Sequence, residues 1–110
     1  MSDIQDLEKY IEEQQKLAHF GDAIDRLSAN EDFRTVVTNG FLRDEAARFA
    51  ALSDHPGLDD AGRADSLRMA QAAGHFKRWL VMQENIVNTA RHNIAEATSQ
   101  IEELRAEGSE

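Results

Sequence analysis

A chain of 110 residues with a net charge of −9 and 30% charged residues fits one small domain, expected to bury roughly 65% of its unfolded surface. The absence of cysteine excludes a disulfide scaffold, a Cys-based zinc site and a thiol nucleophile. No apolar run approaches the ~18 residues of a membrane span, and Met1-Ser2-Asp3-Ile4 opens no signal peptide, so a soluble protein made in the cytosol is expected, with no membrane partner.

The charge is unevenly placed. Residues 1–32 hold nine acids and three bases and residues 96–110 hold five and one, whereas residues 33–95 hold seven acids and eight bases. Acidic ends around a neutral middle disfavour contact with phosphates, so direct nucleic-acid binding is not expected.

The first predicted element is a long helix over 3–28. Ile4, Leu7, Ile11, Leu17, Phe20, Ile24 and Leu27 follow steps of three and four, Ser2 or Asp3 can cap the start, and Glu8, Glu12 and Glu13 lie outside. Gln14 separates the two halves of that stripe, so the repeat is expected to slip there by a stammer. Ser28 with Glu31 fits a capping box, and Asn30 ahead of Glu31-Asp32 is an equally good N-cap for a second helix whose buried side would be Phe33, Val36 and Val37.

Asn39-Gly40 supports two readings, the turn of a β-hairpin or a helix stop. A hairpin would leave Phe41-Leu42-Arg43 as its only right-hand arm before the helix-forming run Asp44–Leu52, and a lone hairpin of that size is marginal in water. The expectation is therefore two short helices over 30–53, bent at Asn39-Gly40. Ser53-Asp54-His55-Pro56-Gly57 then marks a loop over 54–58, and Asp59 or Asp60 caps the last helix.

From 59 to 107 the helical signal is nearly continuous. Met69, Ala73, Phe76, Leu80, Gln83, Val87, Ala90, Ile94, Ala97, Ile101 and Leu104 alternate steps of four and three, and ten of these eleven positions are apolar, so the seam belongs to helix pairing. Leu80, Val87, Ile94, Ile101 and Leu104 are its candidate pairing residues. One unbroken helix would be ~73 Å long, so either it breaks at Gly74 or an extended hairpin forms. In a parallel register Ile86 would face Arg91, and Gln100 would face Arg105, which encodes no parallel dimer by charge. Antiparallel packing on the protein's own first helix is the simpler solution.

Site chemistry is sparse. His19, His55, His75 and His92 include no pair at helical spacing, and no Glu-x-x-His, calcium-loop, phosphate-loop or nucleophile-elbow pattern occurs, so no catalytic, metal or cofactor site is expected. Adjacent acids such as Glu12-Glu13, Asp59-Asp60 and Glu102-Glu103 point to different parts of a helix surface. Lys77, Arg78 and Trp79 form a candidate partner patch, because tryptophan and arginine are common interface anchors; the competing reading has Trp79 covering the edge of a thin core.

The run Ala29–Leu52, with Asn30, Asp32-Phe33, Gly40-Phe41, Asp44-Glu45-Ala46 and Arg48, resembles small helical structural and assembly proteins of tailed bacteriophages. The resemblance implies a virion or assembly role and carries no functional residue across. The resulting expectation is a single all-α domain, an antiparallel helical hairpin or small bundle with two long coiled-coil-like helices joined by two short ones. It would be a non-enzymatic protein of the virion, present in the host cytoplasm during assembly, with itself or other virion proteins as partners. An acidic inhibitor or nucleic-acid mimic that binds a host protein is the alternative.

Overall fold

The computed structural model describes residues 2–108, and it is all-α, with no strand among them. Helix α1 covers Asp3–Ala29, a one-turn α2 covers Glu31–Phe33, a π-helix covers Arg34–Glu45, α3 covers Ala46–Leu52, and α4 covers Asp60–Ala106. The described residues form two compact units. The first joins the chain up to Ile24 with the chain from Gln83 onward, and the second is Asp25–Met82.

Each helix start has a local cause. Ser2 Oγ accepts from the Gln5 backbone N–H at 3.1 Å while the Gln5 side chain accepts from the Ser2 N–H, a reciprocal capping box at α1. Asn30 Oδ1 accepts from Phe33 N–H at 2.9 Å, and Asp59 Oδ1 accepts from Gly62 N–H at 2.7 Å. Asn30 and Asp59 thus act as the caps for α2 and α4.

In the first unit α1 and α4 run antiparallel. Gly21 lies against Val87, Asp22 pairs with Arg91 at 2.8 Å, and Asn93 donates to Gln14 Oε1 at 3.1 Å. Val87, Ala90, Ala97 and Ile101 are buried on α4, with Ile94 and Leu104 half-buried between and beyond them. The facing side of α1 is not the stripe read from the apolar residues. Its covered positions are Ile4, Leu7, Ile11, Gln14, Ala18 and Gly21, an unslipped heptad pattern, whereas Leu17 and Phe20 stay 41% and 46% exposed. Gln14 is tolerated in the seam because its carbonyl oxygen finds the Asn93 amide, and Gly21 is required there because a Cβ would sit 2.7 Å from Val87 Cγ2 and 3.0 Å from Val87 Cβ.

The second unit departs most from expectation. Asn39-Gly40 neither ends nor reverses a helix; it lies inside the π-helix, and Gly40 has no left-handed backbone, the only positive φ among the described residues being that of Gly108. Thr35-Val36-Val37-Thr38 followed by Asn-Gly is a poor α-helical run, crowded at Cβ and then entropically loose, and the chain keeps helical winding there only by widening its turn. At the exit, Ala46 N–H reaches the carbonyls of both Arg43 and Phe41. The wide turn also explains which side is covered. Phe33, Val37, Phe41-Leu42 and Glu45-Ala46 recur every four to five residues, and Val36, placed on the inner side by an α-helical count, is 66% exposed.

Helix α4 passes through Gly74 without a break. In the second unit its covered positions are Ser66, Ala70, Ala73, Phe76 and Leu80, with Ala73 fully buried, so the seam extends back through Ser66 and Ala70 while Met69 lies outside it.

Three glycine substitutions separate these environments. Gly74→Ala, with nothing within 4 Å of the new methyl, should raise stability by about 0.5–1 kcal/mol. Gly21→Ala should lower it despite the same propensity gain, because overpacking costs about 1–3 kcal/mol, and Val87→Ala should relieve that loss in the double variant. Gly40→Ala brings a Cβ to 2.9 Å from the Thr35 carbonyl oxygen and should also destabilise. Thermal melts of the four variants check all three signs.

Candidate interaction surfaces

The side chains singled out for pairing fall on one side of α4. Val87 and Ile101 are buried, Ile94 and Leu104 are half-buried in the first unit, and Leu80 is half-buried in the second.

Lys77, Arg78 and Trp79 are all exposed on α4 within the second unit. Trp79 is 44% exposed, with its ring 6.4 Å from that of the half-buried Phe76 and tilted by 52°. Arg78 Nη1 lies 3.3 Å from His75 Nδ1, and no carboxylate pairs with Lys77 or Arg78 among the described residues. Three other cations of the unit have local acidic partners: Arg43 with Asp44 at 2.9 Å, Arg48 with Glu45 at 2.6 Å, and Arg63 with Asp60. The Arg43 guanidinium is raised above its ordinary pKa by the hydrogen bond and then the charge of Asp44. Arg48 also lies over the Phe49 ring, 4.5 Å from its centroid. Lys77 and Arg78 thus carry positive charge without a carboxylate partner among the described residues and Trp79 adds accessible aromatic surface, but as consecutive residues of α4 the three side chains point to different parts of the helix surface.

Two features of the first unit escaped the sequence reading. A strip lined by Gln14, Leu17, Asn85, Ile86, Thr89 and Ala90 carries no charge at all, and it exists because the heptad places Leu17 and Ile86 beside the seam instead of in it. At the open end of the helix pair, Leu7 and Leu104 floor a groove whose other lining residues are Asp3, Asp6, Gln100, Glu103 and Glu107. Among the described residues, four carboxylates and no base line it. Its members come from opposite ends of the chain, so no local motif announces them; the signal was an antiparallel register that sets residue 7 beside residue 104.

No group of three metal-ligating side chains gathers and no buried side-chain polar atom lacks a hydrogen-bond partner among the described residues. No described helix is long and apolar enough to cross a membrane. Comparison with protein-family models, with curated proteins and with solved structures finds no match to this chain.

The exposure of the patch sets an expectation for its variants. Trp79→Ala should lower stability by about 1 kcal/mol, the scale of a surface aromatic pair, while Lys77→Ala and Arg78→Ala should stay within about 0.5 kcal/mol of the parent. A loss of several kcal/mol at Trp79 in a denaturation series would assign it to the core instead of a surface.

Proposed function

We propose that this is a non-enzymatic helical interaction protein, a minor structural or assembly component of a tailed-phage particle. The observation that carries the interaction role is the balance of apolar surface. Among the described residues eleven large hydrophobic side chains are exposed, against seven buried hydrophobic residues of which three are alanine. Large apolar side chains are therefore exposed more often than fully buried, and the exposed ones are accessible to a partner. In the first unit Leu17 and Ile86 line one charge-free strip, and in the second Trp79 and Met82 lie one helical turn apart on α4. Accessible apolar surface grouped in this way is the usual mark of a docking face, and its burial stabilises a complex by roughly 25 cal/mol per Å² before the losses of association are counted.

The particle context rests on the resemblance carried by Asn30, Asp32-Phe33, Gly40-Phe41, Asp44-Glu45-Ala46 and Arg48. On that reading the protein belongs to the virion, and to the host cytoplasm while particles are built. A nucleic-acid mimic would need a continuous acidic face, whereas Lys9, Lys16, Arg91 and Arg105 interrupt the carboxylates of the first unit.

The test is fractionation of the phage that encodes the chain. The protein is expected to co-purify with particles through a density gradient and to remain after a moderate salt wash. Recovery only as free protein in the lysate would overturn the particle role.

A further inference from the structure

The spacing of two apolar pairs accounts for the π-helix. Phe33 and Val37 are four residues apart, as are Leu42 and Ala46, so each pair shares a helix face by itself. The pairs are set nine residues from one another, Phe33 to Leu42 and Val37 to Ala46. Nine residues make about two and a half turns of an α-helix, so α winding would put the two pairs on opposite sides. At about four to five residues per turn the same stretch makes roughly two turns, and both pairs fall on one side. In the structure all four are covered: Leu42 is buried, and Phe33, Val37 and Ala46 are half-buried.

Burial thus holds a winding that the backbone alone disfavours. π hydrogen bonding is rare beyond a single turn inserted in an α-helix, yet here it runs over Arg34–Glu45 between α2 and α3. The α alternative is weak but not barred: Thr35-Val36-Val37-Thr38 crowds it at Cβ, and Gly40 loosens it. Two observations show where the balance is set. At the exit, the Ala46 N–H is shared between the carbonyls three and five residues back, so the hydrogen bonding there is already mixed. At Gly40, an added Cβ would lie 2.9 Å from the carbonyl oxygen of Thr35, the acceptor that a π pattern assigns to residue 40. The missing side chain at that one position keeps π winding open.

We propose that Arg34–Glu45 is a rewinding segment, a conformational switch held in the π form by the burial of both pairs and released to the α form when the cover on either pair is lost. Release turns the Leu42–Ala46 pair by about half a turn relative to the Phe33–Val37 pair. One pair then stays covered, and the other is presented on the outside. A partner surface that takes the presented pair draws the equilibrium towards the α form. The Asn30 side chain, which accepts from the Phe33 N–H, keeps the N-terminal end in place, and the exposed residues 54–57 take up the change at the other end. The device lies within the second unit and does not depend on the particle role.

Couplings measured by NMR across hydrogen bonds, from amide nitrogen to carbonyl carbon, test it directly because they name the acceptor of each N–H. In the parent, the Gly40 N–H is expected to couple to the carbonyl of Thr35. Gly40→Ala opposes π winding through the Cβ contact and favours α winding through helix propensity, so in that variant residue 40 is expected to couple to Val36 instead, with helical circular dichroism retained. Leu42→Ser removes one reason for π winding and leaves Gly40 in place, and the same change of acceptor is expected; should Gly40→Ala fail to fold, Leu42→Ser decides. A parent that couples to Val36, or a folded variant that keeps the Thr35 coupling, would overturn the proposal. Loss of both couplings in a variant that otherwise folds would also overturn it, because the segment then melts instead of rewinding. Thiol labelling gives an independent reading, since the chain has no cysteine of its own. Val37→Cys and Ala46→Cys, in separate proteins, are expected to diverge once Gly40→Ala is added, one labelling faster and the other at its former rate. Faster labelling at both would mean unfolding, and no change at either would mean that the pairs never part; each result would overturn the switch.

Discussion

The close approach of Gly21 to Val87 is the constraint on which the first unit depends. With no side chain at position 21, α1 packs directly against Val87 of α4, and small Ala90 and Ala97 are buried in the same seam. Such a seam contributes little hydrophobic area per layer, so its stability comes from the number of layers and from the fit of each. Register is then held by polar contacts at defined heights. The Asn93 to Gln14 hydrogen bond fixes one level from within, and the half-exposed Asp22–Arg91 pair marks another at the surface, where such a pair contributes at most about 1 kcal/mol. Polar pairs of this kind select one alignment among those a uniform apolar seam would allow.

Small seam residues have a consequence for the rest of the surface. Some large apolar side chains lie beside the contact: Leu17, Phe20 and Ile86 are accessible while Gly21, Ala90 and Ala97 take places in the interior with Ile4, Val87 and Ile101. The thin core and the accessible apolar strip are thus two results of one packing choice.

Legibility in the sequence followed the regularity of the local signal. The seam of α4 could be read because it repeats without interruption and most of its positions are apolar, and the antiparallel arrangement followed from the lack of charge matching for a parallel one. The inner side of α1 could not be found by following large hydrophobic residues, since Gln14, Ala18 and Gly21 occupy the seam that hydrophobicity alone assigns to Leu17 and Phe20. Hydrophobicity marks what tends to be buried, but interhelical distance decides which positions can be, and a small side chain at close range outranks a large one to the side. Asn39-Gly40 misled for a different reason: propensity reports that α winding is weak at 35–40, yet it does not distinguish a stop from a widened turn. The Lys77-Arg78-Trp79 patch could be named from composition alone, whereas the acidic groove joins residues from opposite ends of the chain and needed the fold.

The widened helix also bears on how the protein ages. An Asn-Gly bond is chemically fragile because the glycine nitrogen can attack the preceding side-chain amide carbonyl, expelling ammonia and closing a succinimide that water opens to aspartate or isoaspartate. That attack needs a backbone conformation that helical winding denies, and Asn39-Gly40 lies in the interior of the π-helix. Its reaction must therefore wait for local opening of the segment. The isoaspartate content at position 39 becomes a slow clock that records how often this helix unwinds.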